Sequence, residues 1–464
     1  MHISKTRPAS PQIRAFSTMS SLRHMSCGCG CSTWRTACFA ATGWNVGLLG
    51  LAYSCIITYD TGILLGVVCV ANPEAGSSFP SLSALAAAQW SASRGHSAAA
   101  QSRWRAVGSW TTGLLQHTCY YLTGVTELIY FEQYCGQIFR ASALCQWQWL
   151  LLVGLIALPI FQTPTFHATR HAALWLGLVP LLLNTAIYFY EIALVRPWAC
   201  EPGPSFTRPD LRSAALGLTG FAYAFGGHGM YPEQIREMRA PKQWPRVVHV
   251  TFAVVIPLYW ACGLAGYAAY GDYAQANINL NFPDNAANRL SIYVQAAQEL
   301  FFILETNLVV VLALEMSLGL DPSTCCAPPK WHGAAPWVGR LVVRSLFLGS
   351  QVMLAEALLS GEGDTLMNLQ SLVGAVGMTA FTYFLPYLIH AVLSPTPLSP
   401  RRKVWAVCNV SLGLLIMLGG LVSSITELAA IKGGLFSGTC RLQYAYAPSN
   451  PLDPCNVSGL PADA

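Results

Sequence analysis

Residues 221–238 read FAYAFGGHGMYPEQIREM, within a chain that otherwise alternates long apolar runs with short polar connections. Glycine weakens a helix, proline lacks a backbone donor, and an ionisable ring is costly in hydrocarbon. Gly217, Gly220, Gly226, Gly227 and Gly229 crowd into the approach to Pro232. Close helix packing through small residues accounts for Gly217 and Gly220. It does not account for adjacent Gly226 and Gly227, which on a helix point about 100° apart and cannot share a packing face. An interrupted helix does. Unwound backbone inside a membrane is tolerated only where its freed N–H and C=O groups line a cavity or meet a ligand.

The rest of the chain supplies the membrane setting. Of 464 residues, 53% are hydrophobic and 10% charged, against about a quarter charged in soluble proteins. The formal net charge of +5 is spread along the chain, with no basic stripe or motif for nucleic acid. Ten segments are long and apolar enough for helical spans: about 44–70, 107–131, 147–163, 172–195, 212–231, 247–270, 290–315, 339–359, 366–393 and 404–431. The polar stretch 71–105, rich in Ala, Ser and Gln, reads as a loop or interfacial helix. Of the 16 cysteines, Cys55, Cys69, Cys119, Cys262 and Cys408 sit singly in apolar runs and read as small hydrophobes. Cys27, Cys29 and Cys31 lack the histidine partners of a zinc site, and no metal is expected. Cys440, Cys455 and the sequon at Asn456 suit a C-terminal tail outside the cytosol.

Lysine and arginine orient the bundle. One set of alternate connections carries Arg236, Arg239, Lys242, Arg246, Lys330, Arg401, Arg402 and Lys403, and is richer in cations than the set that includes Arg140, Arg196 and Arg208. The richer set is assigned to the cytosol. Residues 1–43 then conflict with the assignment, because they carry Lys5, Arg7, Arg14, Arg23 and Arg35 with no acidic residue, yet ten spans place them outside. Either they form an Arg- and Ser-rich targeting segment, or a helix expected before residue 44 is missing. The second reading is preferred. The chain is accordingly divided into a basic polar segment 1–42, possible as disorder or misassembly, a transmembrane domain 43–436, and a polar tail 437–464.

Beyond these patterns, FAYAFGGHGMYPEQIREMRAPKQWPR (221–246), followed by a span ending GLAGYAAYG, resembles helices six and seven of the amino acid/auxin permease family. GWNVGLLGLAYSCIITYDTGILL (43–65) resembles the end of that family's first helix and its second. NLQSLVGAVGMTAFTYFLPYLIH (368–390) is similar to its tenth, FPSLSALA (79–86) to the loop before its third, and Arg344 stands like the arginine that opens its ninth. The resemblance implies an all-α polytopic membrane protein built as a five-plus-five inverted repeat, with broken helices one and six sharing the substrate and with eleven helices in the family. It implies amino acid transport by alternating access, more often with protons than with sodium, at the plasma membrane or a vacuolar or other endomembrane. The glycine- and proline-containing first half of helix one, GxGxLxLPxA, has no counterpart before Trp44. MSCGCGCSTWRTACFAATG (25–43) is short of apolar residues and bears Arg35. A transport-defective or sensor-like relative is therefore the alternative reading.

An α-amino acid suits such a break, since its carboxylate meets N–H groups and its ammonium meets carbonyls. The expected substrate contacts are Tyr223, Phe225, Gly226, Gly227, His228, Gly229 and, from the second span, Tyr121. His228 either satisfies loose carbonyls or touches substrate. Polar residues Gln295, Gln298, Glu299, Glu305 and Thr306 share an arc of about 120° on one span; His117, Tyr120, Tyr121, Gly124 and Glu127 form a similar arc on another. Interhelical hydrogen bonding explains such arcs. Proton exchange at Glu299, Glu305 or Glu127 is the functional alternative. Glu132 near a helix end is read as meeting water, and Glu233 as pairing with Arg236 or Arg239 or capping a half-helix. There is no HExxH, no GxSxG and no paired metal-binding carboxylates, so an enzyme is not expected. No cofactor is expected either, and the partners are the amino acid and the bilayer.

Overall fold

The computed structural model describes residues 34–139, 142, 144–163, 174–200, 203–238, 240–320, 336–359, 365–395 and 398–430. The helices are α1 (Trp34–Ala71), α2 (Phe79–Ser93), α3 (Ala98–Ile138), α4 (Gln146–Phe161), α5 (Val179–Val195), α6 (Leu211–Ala224) and α7 (Tyr231–Glu237). They continue as α8 (Trp244–Tyr270), α9 (Ala286–Leu318), α10 (Pro336–Leu359), α11 (Thr365–Val373), α12 (Leu385–Leu393) and α13 (Pro400–Ala430). Among the described residues there is no strand. Seven helical segments among the described residues are long and apolar enough to cross a membrane. The other expected spans are carried by α3, by the shorter apolar α4 and by the interrupted pair α6 and α7.

Local chemistry sets the helix ends. Ser78, Ser97, Asp210 and Asn285 cap α2, α3, α6 and α9 by accepting from the backbone N–H three residues on. Hydrogen bonds from the Ser213 hydroxyl and N–H hold the solvent-facing Asp210 carboxyl below its usual range. Gly319, left-handed at φ 71°, ends α9.

Burial is inverted relative to a soluble protein. Leu49, Leu114, Leu155, Leu346 and Val404 stand on the outer surface, whereas Glu127, Glu132, Glu191, Glu299, Glu305 and Arg344 are enclosed by the bundle. That arrangement suits hydrocarbon outside and polar contacts within. Glu132, fully buried, does not meet water as its place near a span end suggested.

The start of the bundle departs from expectation. Residues 34–42 are helical and Arg35–Phe39 are buried, where the sequence reads as a polar segment unsuited to the bundle. Gly43 (φ 64°, ψ 178°) interrupts α1, and a Cβ on Gly47 would collide with the Phe39 ring. Residues eight apart on a straight helix lie about 12 Å apart along the axis, so the chain turns back sharply at Gly43 and presses Phe39 onto the next stretch. Positive φ favours glycine there, and Pro209 packs against its Cα. The stretch 71–105 is also more ordered than a loop. It contains α2, and α3 begins well before residue 107.

Cys55, Cys69, Cys119 and Cys262 are buried free thiols, as small hydrophobes should be, while Cys408 is exposed on α13. Cys145 and Cys200 are disulfide-bonded. Both fall in connections assigned away from the cytosol by their sparse cations, and an oxidising compartment permits disulfides there. The cysteines at 27–31, Cys440, Cys455 and Asn456 lie outside the described residues.

Candidate functional site

The glycine-rich stretch is interrupted as its composition predicts. α6 stops at Ala224; Phe225 and Gly226 leave helical geometry; Gly227–Met230 form a tight turn; and α7 restarts at Tyr231 with Pro232 in its first turn. All of Phe221–Pro232 is buried. The break lies against α1, α3, α8 and the irregular segment 374–384 between α11 and α12.

Side chains meet the freed backbone. The Tyr259 hydroxyl donates to Ala224 O at 3.1 Å, and Gln116 Nε2 donates to Gly229 O at 2.6 Å. Gln116 Nε2 also reaches Glu233 Oε1 at 3.1 Å, so one amide joins the turn to the start of α7. Glu233 sits in the first turn of α7, where a carboxylate complements the helix dipole.

His228 is fully enclosed. Its Nε2 lies 2.9 Å from Thr58 O and 3.2 Å from Thr61 Oγ1. A carbonyl only accepts, so Nε2 carries a hydrogen, and Nδ1 lies 3.4 Å from Thr382 Oγ1. The ring thereby ties the break to α1 and to the 374–384 segment. Thr58 O lies inside α1, so this contact joins two elements and is not made to a carbonyl freed by the break.

Glycine permits close approach at two points. A Cβ on Gly226 would collide with Met378 Sδ, and one on Gly229 would stand 2.7 Å from the Tyr120 hydroxyl. In this conformation Met378 and Tyr120 close over the turn. The glycines of LVGAVG act differently: a Cβ on Gly374 would strike Thr219 O, and one on Gly377 would strike Cys119. Gly374→Val is expected to cost about 1–3 kcal/mol through overpacking against backbone that cannot yield. A melting temperature in detergent equal to wild type would contradict that packing.

The expected acidic residues are partly brought together. Glu127 on α3 and Glu299 on α9 stand close together, and the Tyr223 hydroxyl, in the last turn of α6, donates to Glu127 Oε1 at 3.3 Å. Glu305 is buried two turns further along α9. Gln295 joins Tyr134, Asn279 and Ser291, and Gln298 reaches Gly177 O, so much of the α9 arc serves interhelical hydrogen bonds.

Tyr121 is placed elsewhere. Its hydroxyl donates to Ser350 and its ring meets Phe347 edge-on, both on α10. Its neighbour Tyr120 faces the break instead. A rotation of one residue on a helix, about 100°, separates the two, and periodicity alone left both in one arc. Gln116, Thr58, Thr382, Tyr259 and Met378 were not anticipated. Four lie on elements distant in sequence; Gln116 stands one residue before the polar arc of α3.

The architecture defines a multi-pass integral membrane protein of the five-plus-five inverted-repeat transporter class. At TM-scores of 0.53 and 0.51 the bundle is similar to an Eremococcus coleocola manganese transporter and to MhsT in complex with L-phenylalanine. The first match covers 93% of this chain and 91% of that one at 13% identity; the second covers 91% and 100% at 12% identity. These likenesses concern the fold. Among the described residues, no three His, Cys, Asp or Glu side chains gather as a metal site.

Residues 11–426 match the family described as transmembrane amino acid transporter protein, and the chain belongs to it. Relatives include Amino acid transporter AVT1C of Arabidopsis thaliana, 21% identical over 46% of this chain and 36% of its own length. Vacuolar amino acid transporter 3 of Saccharomyces cerevisiae is 26% identical over 57% and 37%, and GABA transporter 1 of Arabidopsis thaliana is 26% identical over 61% and 65%. The matches thus span about a third of the first two relatives. The family match begins ahead of residue 43, where motif resemblance alone had placed its start.

Proposed function

We propose that the chain carries an amino acid across the membrane by alternating access around the 225–230 break, coupled to protons. The observation that carries the reading is the interruption itself: peptide groups leave the helical ladder at the centre of an enclosed, polar-lined bundle. Half-helix ends of this kind suit the carboxylate and ammonium of a zwitterion. Met378 and Tyr120 would have to swing aside to admit it. Proton coupling is supported by the closeness of the buried Glu127 and Glu299 carboxyls beside Tyr223 of the broken helix, since neighbouring buried carboxyls favour sharing a proton over ionising together. Substrate arrival at the break can change what Tyr223 offers Glu127, and so release or capture that proton. Glu305 lies on the same helix and is a second acceptor for it.

Purified protein in liposomes, given labelled amino acids and an imposed pH gradient, tests the reading. Uptake against the amino acid gradient is expected when the outside is acidic and is lost when the gradient is collapsed. Absence of uptake and exchange for every amino acid would favour the transport-defective or sensor-like alternative. Glu299→Gln is expected to abolish accumulation driven by the pH gradient while exchange of internal for external substrate persists. A pH profile identical to wild type would remove Glu299 from the coupling.

A further inference from the structure

Arg35, in the first turn of α1, is 1% exposed, and its Nε and Nη2 have no hydrogen-bond partner. Among the described residues no carboxylate stands within ion-pair distance of it, and residues 1–33 contain neither Asp nor Glu. The groups close enough to interact with its charge, Cys38, Cys55, Cys262 and Tyr188, are thiols and a phenol. The guanidinium lies over the ring of Tyr259. That ring is 4.8 Å from Phe225, and its hydroxyl donates to Ala224 O. A permanent cation therefore stands one aromatic ring away from the helix break.

Arginine cannot shed its charge by deprotonation. A cation–π contact offsets only part of the cost of burying it. A charge kept inside a membrane bundle without a fixed counter-charge marks a ligand path. Two features around the end of α6 then acquire a common sense. Phe225 leads through Tyr259 to Arg35, and Tyr223 leads to the carboxyl pair Glu127 and Glu299. A cation and an acidic pair are both tied to the edge of the break.

We propose that Arg35 is a substrate-binding residue whose guanidinium takes the carboxylate of the carried solute beside the break, with the Glu127–Glu299 pair facing its ammonium. The fork of an arginine meets a carboxylate through two parallel N–H donors. The proposal rests on the transporter reading and deepens it. It assigns to a side chain on α1 a task that the sequence comparison had left to unwound backbone.

Full-length protein in nanodiscs, with equilibrium binding of neutral L-amino acids and of their primary amides, tests the assignment. Wild type is expected to bind an amino acid about 30-fold more tightly than its amide. Arg35→Gln is expected to remove that preference by weakening the acid about 30-fold while leaving the amide within about twofold. Its melting temperature is expected to equal or exceed that of wild type, because an uncompensated charge has gone. An Arg35→Gln protein with the wild-type ratio of acid to amide overturns the proposal. If that variant does not reach the membrane, Arg35→Lys serves: it keeps the charge, loses the fork, and is expected to weaken the acid alone about tenfold. An unchanged ratio there also overturns it. Wild type that binds propionate in an Arg35-dependent way but no amino acid would refute amino acid transport and retain the role of Arg35. Wild type that binds none of these probes overturns both.

Discussion

Uptake by Gly226→Leu protein is expected to fall by about a hundredfold, the loss that follows when reacting or binding groups are displaced by about 1 Å. Gly226 follows the end of α6 at the point where Met378 crosses the chain, and any Cβ there collides with its sulfur. Tyr223 O, 3.0 Å from the same position, is backbone and cannot swing away. Met378 can yield but the backbone cannot, so a leucine side chain is expected to displace the turn and the peptide groups of Gly227–Met230 with it. Leucine is more compatible with lipid than glycine, so insertion is expected to be unimpaired. Equal amounts of wild-type and variant protein in the membrane, with uptake lost only in the variant, would separate the site from the fold. Uptake within about twofold of wild type would return this stretch to simple packing.

Arg344→Ala is expected to be the most damaging single change to stability, at about 3–5 kcal/mol. Arg344 Nε and Nη2 grip the two oxygens of Glu315 at 2.6 and 3.2 Å, and Nη1 donates to Phe161 O and Thr163 O at 2.8 and 2.6 Å. Both side chains are essentially inaccessible, at 1% and 0%. One guanidinium thus joins α9, α10 and the end of α4. Removing it strips two carbonyls of their donor and leaves Glu315 with Arg340 alone, 3.0 Å away and 18% exposed. Arg344→Lys retains the charge but not the fork and is expected to recover only part of the loss. Melting of detergent-purified protein, followed by size-exclusion elution, checks the order wild type, lysine, alanine. An alanine variant as stable as wild type would show the ion pair to be dispensable.

The polar network on the cytosol-assigned side contrasts with this one. Arg402 Nη1 lies 2.7 Å from Asp60 Oδ1, and Tyr387 and Trp405 both donate to Asp60 Oδ2. Arg402 is half exposed, so water screens the pair and its contribution is small beside that of Arg344. Burial, rather than the number of charged contacts, ranks the two.

Ten helical segments and the place of the break were legible in the sequence because both depend on local chemistry. Spans follow from the number of consecutive apolar residues set against a fixed hydrocarbon thickness. Interruption at 225–230 follows from adjacent glycines and a proline, whatever surrounds them. The loop cations follow a similar local logic; the disulfide bonding of Cys145 and Cys200 was not foreseen among so many thiols. Three features waited for the tertiary structure. A shared arc could not decide between Tyr120 and Tyr121, since the facing direction of α3 is fixed by its packing against α2 and α9. Glu127 and Glu299 lie far apart in the chain, and only the meeting of α3 with α9 brings them together. Residues 34–42 read as too polar for a membrane helix because Arg35 counts against any apolar window. Folded back at Gly43 and enclosed by α6 and α8, that arginine meets an aromatic face instead of lipid, and hydropathy summed along a chain carries no information about which neighbour a side chain will find.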